Sequence, residues 1–424
     1  MKYTQINTKS YKIAIYLKLL CNLRANLWHF SDNESLKGHK MLKEITEVLA
    51  HFETQIYEDF ERIVNINSFS DNPKGISEVH DALLEIAQQI GVSLETVYSK
   101  EKKRPHLSYN KMLEKDFYAM VGHFDTVHPP QSDFQTMWED GDKLRGPGTN
   151  DMKSGVIVAL YSLSILQTLF PKTTLPLKAL FNSDEEIGSL DSEAIIRDIF
   201  VGAKAGFVFE PGRLEGNSVV TARKGIFGMV IEIIGKPAHS GVEPWNGINA
   251  IVEASHIVIA LEALNDYDNG ISVGCNKIEG GIAANVVAPH CTLMLDARYI
   301  KPEQEAILVQ AIETILKAPT VTGATIQYSI KHGRPPLVKT EASGALYQSY
   351  RAVSESLGIA CGEMATGGVS DANYLSNMGI PVIDAVGAVG DNSHTKQEYI
   401  IKHSILDRIK IFTLLMAEKI GAKA

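Results

Sequence analysis

The sequence has few cysteines and no excess of basic residues, and each shortage excludes a class of protein. Four cysteines in 424 residues form no C-x-x-C pair, so the sequence predicts neither a disulfide framework nor a thiolate zinc site. Asp and Glu number 50 against 41 Lys and Arg, a formal net charge of −9. This argues against sequence-independent nucleic-acid binding, which needs a basic face. We expect a cytoplasmic protein without a nucleic-acid partner.

The sequence also lacks a convincing membrane span and a phosphate-binding loop. The apolar run at 13–23 is faintly like part of a signal peptide, but Lys18 interrupts it and it is too short to cross a bilayer. Neither G-x-G-x-x-G nor G-x-x-x-x-G-K-[ST] occurs, so Gly146 and Gly148 are only a weak indication of a nucleotide site. We expect no membrane partner, an N-terminal extension over 1–40 and a plausible true start at Met41.

Length and periodicity predict two domains of α/β structure. A chain of 424 residues exceeds what one hydrophobic core usually serves. Alternating strands and helices predict a catalytic domain with a mostly parallel central sheet flanked by helices. From Lys224 the predicted order changes to β-α-β-β-α-β, which is the ferredoxin-like unit. We therefore predict a catalytic domain over 41–223 and 333–424, interrupted by an inserted domain over 224–332.

The predicted elements follow from apolar spacing and β-rich composition. The predicted helices cover 41–64, 76–90, 156–169, 248–264, 302–316 and 405–420. The predicted strands cover 117–123, 175–181, 205–209, 226–234, 271–278, 286–297, 324–330 and 380–386. The polar motifs of the first domain all fall at carboxyl ends of predicted strands, where open α/β sheets bind ligands.

The segment 121–129, VGHFDTVHP, predicts the first part of a chemical site. His123 and Asp125 are two residues apart, and the period of a strand places both side chains on one face. A metal-binding imidazole usually donates its other ring N–H to a carboxylate, which strengthens it as a ligand. From this stretch alone, a polar strand end with a chance histidine is an equally good explanation.

Five possible metal ligands lie at predicted strand ends or in loops: His123, Asp151, Glu186, Glu210 and His394. Two imidazoles with several carboxylates suit zinc, with cobalt or manganese as alternatives. One carboxylate has two oxygens, so Asp151 is our candidate to bridge two divalent metal ions. Taken singly, the acidic run at 184–186 is more often a solvated turn, and His394 a surface histidine.

Glu185 and Glu186 are expected to divide two roles. Adjacent residues on an extended segment point in opposite directions. We therefore expect Glu185 to act as the general base and Glu186 as a metal ligand.

The ordered series of motifs resembles the M20 metallopeptidases, the acetylornithine deacetylase, succinyl-diaminopimelate desuccinylase and carboxypeptidase G2 group. The resemblance extends from Met41 to the C-terminus. Residues 122–127 are similar to the family's G-H-x-D-T-V, and 184–189 to its D-E-E-x-G-S. Residues 146–153 are similar to G-R-G-x-x-D-M-K, with Pro147 in place of the usual Arg. Residues 209–211 and 392–394 resemble the segments that carry the third carboxylate and the last histidine.

The resemblance implies two metal ions and a division of roles among the site residues. One metal would bind His123, Asp151 and Glu210, and the second Asp151, Glu186 and His394. Asp125 would orient His123, and Glu185 would be the base that activates the attacking water. The inserted domain would be a lid and dimerisation module, so the resemblance implies a homodimer.

Further site residues are implied in and near the inserted domain. Residues 237–241 resemble an A-H-S-G loop whose histidine, His239, reaches the active site across the dimer and stabilises the oxyanion; a loop histidine with no task is the alternative. Asn285 and Arg298 would hold the substrate carboxylate, to which an arginine fork binds bidentately. Gly367 and Gly368 resemble a loop where the backbone approaches the substrate closely, which glycine permits.

The expected function is hydrolysis of an amide bond next to a free carboxylate in a small peptide or N-acyl amino acid. The chain looks most like the glutamate carboxypeptidase (carboxypeptidase G2-like) branch, which releases C-terminal glutamate or a related amino acid, and Arg334 is our candidate to hold an acidic side chain. The alternative is a deacylase of the acetylornithine deacetylase, succinyl-diaminopimelate desuccinylase or aminoacylase type. A more remote alternative is a non-catalytic binding or scaffold protein.

Overall fold

The computed structural model describes residues 34–101 and 103–421, so the apolar run at 13–23 lies outside the described residues. The described chain forms two compact units. The first comprises the residues up to Thr221, Thr340–Met364 and those from Met378 onward; the second comprises Ala222–Lys339 and Ala365–Asn377. The domain boundaries derived from the sequence stay a prediction.

The helices and strands are numbered here in chain order. The helices are α1 (Glu34–Val64), α2 (Pro73–Gln89), α3 (Ser154–Leu169), α4 (Glu193–Ile199), α5 (Ala250–Glu262), α6 (Pro302–Leu316), α7 (Glu341–Ser356), α8 (Ala372–Asn377) and α9 (Ser404–Gly421). The strands are β1 (Leu94–Val97), β2 (His106–Tyr109), β3 (Tyr118–His123), β4 (Trp138–Asp140), β5 (Lys143–Arg145), β6 (Leu177–Asn182), β7 (Ala205–Val208), β8 (Gly212–Arg213), β9 (Val219–Arg223), β10 (Gly225–Ile234), β11 (Ser272–Gly280), β12 (His290–Tyr299), β13 (Thr325–Arg334), β14 (Glu363–Thr366), β15 (Val382–Ile383), β16 (Val389–Asp391) and β17 (Tyr399–Ile401).

The first unit is built on a six-stranded sheet in the order β1-β2-β6-β3-β7-β15. Strands β6, β3, β7 and β15 run parallel, whereas β1 and β2 form an antiparallel edge. The prediction of an α/β fold around a mostly parallel sheet is confirmed. Because β6, β3 and β7 are parallel neighbours, their carboxyl ends meet at one edge of the sheet.

Helix α3 lies in the core of the first unit. Its residues are apolar in nearly every direction and almost all of them are buried, as expected for a helix enclosed by protein. Among the described residues, Thr149–Leu169 is the one helical segment long and apolar enough to cross a membrane, but 89% of its apolar window is buried inside the structure. It packs against α1 and α9, so its apolar surface is explained by the core.

The second unit has the predicted β-α-β-β-α-β order. Its antiparallel sheet is ordered β11-β12-β10-β13. Alternate residues of β10, such as Phe227, Met229 and Ile231, are buried in a core shared with α5 and α6. Burial that alternates with a period of two residues is typical of a strand in a sheet that is covered on one face. The prediction that the second unit acts as a lid or dimerisation module stays a prediction.

Several element bounds differ from those predicted, for identifiable reasons. Helix α1 begins at Glu34, before Met41, and continues through that residue. Strand β12 begins only at His290 because the preceding residues form a turn that is bridged to His239 through Val286. Strand β15 covers two residues of the predicted 380–386, and Ala385, with φ of 62°, adopts a left-handed conformation soon after it.

Candidate metal centre

The predicted ligands of the first unit follow three adjacent parallel strands. His123 is the last residue of β3, Glu186 lies in the turn after β6, and Glu210 follows β7 by two residues. Asp151 lies in the irregular turn before α3, and His394 follows β16. The topology therefore brings five residues that are distant in sequence to one edge of the sheet.

These five side chains form two groups that share Asp151. In the first group, His123 Nε2 lies 3.2 Å from Asp151 Oδ1 and 3.6 Å from Glu210 Oε1. In the second, His394 Nε2 lies 3.3 Å from Asp151 Oδ2 and 3.2 Å from Glu186 Oε2. Within each group the possible ligand atoms all lie within 4.8 Å of one another. The two oxygens of Asp151 thus face different groups, the arrangement required of a bridging carboxylate.

The residues fit divalent metal ions on an observation independent of the motifs. Glu186 Oε1 is buried and has no hydrogen-bond partner among the described residues. Burying a carboxylate oxygen without a partner is costly. Glu210 is also buried, at 8% side-chain exposure, so negative charge is concentrated in a desolvated place. A cation at each group would compensate this charge.

The side chains of the two groups shift one another's pKa. Burial, followed by repulsion from Asp151, raises the pKa of Glu186 to about 8, and the same two causes raise the pKa of Glu210 well above its usual value. Hydrogen bonds to Asp151 and Glu186 raise the pKa of His394 to about 11. Burial opposes protonation of His123, but hydrogen bonds to Asp125 and Asp151 raise its pKa well above the usual range.

Asp125 contacts both His123 and the turn that carries the two glutamates. His123 Nδ1 lies 3.1 Å from the Asp125 carbonyl oxygen and 3.4 Å from Asp125 Oδ1. Donation from Nδ1 to either acceptor leaves Nε2 to face Asp151, as a metal ligand must. The fully buried Asp125 carboxylate also accepts the backbone N–H groups of Glu185 and Glu186, and it accepts the Ser70 hydroxyl over 2.7 Å.

The structure separates Glu185 from Glu186, but not for the reason that we predicted. The expected extended segment is wrong: Glu185–Ile187 forms a 3₁₀ turn, in which successive side chains point about 120° apart. Glu186 belongs to the second group of possible ligands. Glu185 belongs to neither group, and its Oε2 lies 4.0 Å from His123 Nε2. This position beside the ligands suits a residue that handles a proton.

His239 and Asn285 come together within the second unit. The backbone N–H of Ser240 donates to the Asn285 carbonyl over 3.0 Å, and His239 is bridged to Val286. Both side chains are exposed. His239 Nδ1 accepts the Gly241 N–H over 3.1 Å, so in the neutral ring the proton lies on Nε2. The exposed nitrogen of His239 is therefore a hydrogen-bond donor.

The two arginines predicted to bind carboxylates have internal partners in the second unit. Arg298 donates to both oxygens of Asp296, over 2.9 and 3.3 Å, and to the Gly367 carbonyl over 2.8 Å. Arg334 is 3% exposed, with Nη2 3.7 Å from Asp371 Oδ1. Arg298 retains two of its five N–H groups for another acceptor, whereas Arg334 is enclosed.

The glycine loop is not explained by the chain's own packing. A Cβ on Gly367 would meet no atom within 4 Å, and a Cβ on Gly368 would meet only Arg223 Nη1, at 3.7 Å. Neither residue has a left-handed φ. The described residues therefore impose no need for glycine at either position.

Sequence reasoning missed the buried residues that support the ligands. Ser70 precedes α2 and Glu398 follows His394 by four residues, both in polar loops of the sequence. Both are buried, at 2% and 1% exposure. A serine or glutamate in a polar loop is usually exposed, so nothing in the local pattern distinguishes them; only their contacts do.

Comparisons with known proteins agree with this geometry. The family model described as "Peptidase family M20/M25/M40" matches residues 119–418, more than half of the chain. Carboxypeptidase G2 of Pseudomonas sp. is 26% identical over 378 residues, covering 86% of this chain and 89% of that protein. Succinyl-diaminopimelate desuccinylase of Wolinella succinogenes is 25% identical over 377 residues, covering 85% and 99%.

A solved structure has the same fold. The aminopeptidase PepT structure from Bacillus cereus superposes with a TM-score of 0.70 at 21% identity, covering 86% of this chain and 97% of that one. With the family match and the two groups of possible ligands, the chain belongs to peptidase family M20/M25/M40 and is a metal-dependent peptidase or amidohydrolase.

Proposed function

We propose that this protein is a two-metal carboxypeptidase that hydrolyses an amide bond next to a free carboxylate and releases C-terminal glutamate or a related amino acid. The observation that carries the two-metal part is the sharing of Asp151 between two groups of ligand atoms. The donor set of imidazole and carboxylate favours zinc, with cobalt or manganese as alternatives.

The residues around the metal groups have separate tasks in this proposal. The chemistry that two bound divalent ions supply is polarisation of the substrate carbonyl and a lowered pKa of the attacking water. Glu185, beside the ligands but outside both groups, takes the proton from that water and delivers it to the leaving amine. His239 supplies a hydrogen bond to the developing oxyanion, for which its exposed Nε2–H is suited.

Recognition of the free carboxylate is assigned to Asn285 and Arg298. Asn285 is exposed and the Arg298 side chain is 36% exposed. Asp296 holds the Arg298 guanidinium in place, which reduces the entropy lost when a ligand binds. Arg334 is less suited to hold an acidic substrate side chain than the sequence suggested, because it is buried against Asp371.

The acyl part of the substrate is assigned to a cavity of about 420 Å³ beside His394. Its lining residues are Val127, His128, Pro129, Gln131, Ser132, His394 and Lys396. Val127 and Pro129 are apolar and the other lining residues are polar or charged, so the cavity can contact both apolar and polar parts of an acyl group. A carboxypeptidase would accept large acyl groups in this cavity, such as benzoyl and peptidyl groups. A deacylase would accept only acetyl or succinyl groups there.

A deacylase of small N-acyl amino acids is the second candidate function. The desuccinylase relative supports it, because the alignment covers 99% of that protein at nearly the same identity as the carboxypeptidase.

A homodimer formed through the second unit belongs to the proposal. Helix α5 exposes Ile251, Val252 and Ile259, the last at 71%, on one side of the helix. Grouped exposed apolar residues support the proposal that this face of the helix contacts a second copy of the chain. Multi-angle light scattering should give twice the monomer mass of 46.5 kDa, and Ile259→Asp should shift the mass toward that of the monomer.

The decisive experiment measures turnover of paired substrates by the metal-loaded enzyme. The pairs are N-acyl-glutamate and N-acyl-lysine, each with a free or an amidated α-carboxyl group, and an acetyl, succinyl, benzoyl or peptidyl acyl group. The enzyme is treated with a chelator and then supplied with zinc, cobalt or manganese. The Glu185→Gln variant is the control for contaminating activity.

Each outcome selects one function. Chelator-sensitive release of glutamate from benzoyl and peptidyl substrates, abolished by amidation, supports the carboxypeptidase. Cleavage confined to acetyl or succinyl amino acids transfers the protein to the deacylases. Absence of turnover by a protein that binds metal overturns the catalytic proposal and favours a binding or scaffold protein.

A further inference from the structure

The carboxylate of Glu398 is buried beneath the turn that carries Asp151. Its Oε1 accepts the backbone N–H of Asn150 over 2.8 Å and that of Asp151 over 2.9 Å. Its Oε2 accepts the backbone N–H of Gly148 over 3.2 Å. Three N–H groups of one turn thus converge on a single carboxylate, an arrangement that fixes the position of the turn.

The same carboxylate also binds the segment that follows His123. His128 Nε2 lies 2.8 Å from Glu398 Oε2, and the His128 ring packs edge-on against Phe134 with centroids 5.0 Å apart. Glu398 therefore connects the turn before α3 to the loop after β3. Both oxygens are engaged, and Glu398 is 1% exposed, so it is not available as a metal ligand.

A second contact joins the Asp151 turn to the loop that carries His394. Asn150 Nδ2 donates to Ser393 Oγ over 2.8 Å, and the Gly146 N–H donates to the Glu398 carbonyl over 3.4 Å. Glu398 is in the same loop, four residues after His394. The shared ligand and the last histidine are consequently held together by residues that do not themselves belong to a metal group.

We propose that Glu398 is a positioning residue that sets the metal affinity of the site by fixing the backbone of Asp151. This inference rests on the proposed function, because it requires that Asp151 binds metal. Hydrogen-bonding partners that hold ligands in place commonly contribute about 10–100-fold to metal affinity. Asp151 is shared by both groups, so a displaced turn would weaken both.

The test is the metal affinity of Glu398→Gln, measured by competition with a chromophoric chelator and by the visible spectrum of the cobalt-substituted protein. The amide keeps the size of the side chain, but its NH₂ group must face either the Asn150 and Asp151 N–H groups or that of Gly148. We expect metal affinity to fall by about 10–100-fold. Turnover at limiting metal should fall in parallel and recover when metal is added in excess.

Asp59→Asn is the matched control. Asp59 is another carboxylate of the first unit, 7% exposed, and it accepts the Tyr161 hydroxyl over 2.5 Å. The Asp59→Asn substitution is expected to lower the melting temperature of the chelator-treated protein and to leave its metal affinity unchanged. A merely structural role for Glu398 would give the same result as this control.

The remaining outcomes also decide the matter. Unchanged metal affinity in a folded Glu398→Gln protein overturns the inference and leaves the proposed function intact. If the wild-type protein binds no metal, the proposed function fails and the inference fails with it. If Glu398→Gln does not fold, His128→Phe removes one of the four donors and retains an aromatic ring near Phe134; unchanged metal affinity in that variant overturns the inference.

Discussion

The backbone N–H of Glu185 donates a hydrogen bond to Asp125 Oδ1 over 3.1 Å. The neighbouring N–H of Glu186 donates to Asp125 Oδ2 over 3.2 Å. One carboxylate therefore contacts both His123, a candidate metal ligand at the end of β3, and the glutamate turn after the neighbouring strand β6. This side chain therefore links the positions of His123, Glu185 and Glu186.

Asp125→Asn should reduce turnover by about 10–100-fold with a smaller change in KM. The amide replaces one acceptor oxygen with a donor, so at least one of the contacts to Glu185, Glu186 and Ser70 is lost. The measurement is steady-state kinetics together with metal affinity. Ser70→Ala, which removes one hydroxyl donor to the same carboxylate, should have the smaller effect. Equal effects of the two variants would contradict the proposed role of Asp125.

Glu185→Ala should bind metal normally yet lose nearly all turnover. General acid–base groups contribute about 10²–10⁴-fold to rate, and Glu185 lies outside both groups of ligand atoms. Metal content by elemental analysis and turnover by amine release check the two parts separately. Retained turnover would remove Glu185 from the role of base.

Glu186→Ala should have the opposite signature and lose metal. Its Oε2 lies 3.2 Å from His394 Nε2 in the second group, and its other oxygen lacks a hydrogen-bond partner among the described residues. Elemental analysis after dialysis should find about one equivalent of metal per chain fewer than in the wild type, since the first group of ligands remains. Full metal content in this variant would exclude Glu186 as a ligand.

Metal binding should release protons, and metal affinity should rise with pH. Burial and Asp151 raise the pKa of Glu186 to about 8, and hydrogen bonds raise the pKa of His394 to about 11. Ligands must lose these protons to bind a cation. Affinity should therefore increase as the pH rises through about 8, where Glu186 loses its proton, and continue to increase toward about 11, where His394 loses its own. Calorimetry at pH 7 in two buffers of different ionisation enthalpy measures the protons released, and a value of zero would contradict the assignment.

The possible metal ligands were easier to predict from the sequence than the buried residues that contact them. His123, Asp151 and Glu210 lie in short polar motifs next to β-rich or apolar runs, so the spacing within each motif indicates where its side chains emerge. Glu398 lacks any such local pattern, because its side-chain partners lie in two other segments, the turn before α3 and the loop after β3. Arg334 is our candidate to hold an acidic substrate side chain, and nothing nearby in sequence indicates that it is buried beside Asp371.

Prediction of the fold from the sequence had the same limit, since local patterns were recognised and non-local contacts were not. The long periodic helices were predicted to within a few residues at most of their ends; for example, α6 begins at Pro302 and ends at Leu316, as predicted. Strands β1 and β2 were missed, because four residues are too few for a clear alternation and their pairing with β6 is non-local. Helix α7, with its Thr340 cap, was also not recognised.

Gly155→Ala should destabilise the first unit by about 3 kcal/mol or more. A Cβ on Gly155 would lie 1.9 Å from the Phe209 carbonyl oxygen, a backbone atom that cannot rotate away. Helix α3 would have to move from the segment that carries Glu210, so metal affinity should fall with stability. Urea unfolding in the presence of chelator measures the first effect, and chelator competition the second. Gly421→Ala, where a Cβ meets no atom within 4 Å, is the control; equal stability of the two variants would show that α3 can shift without cost.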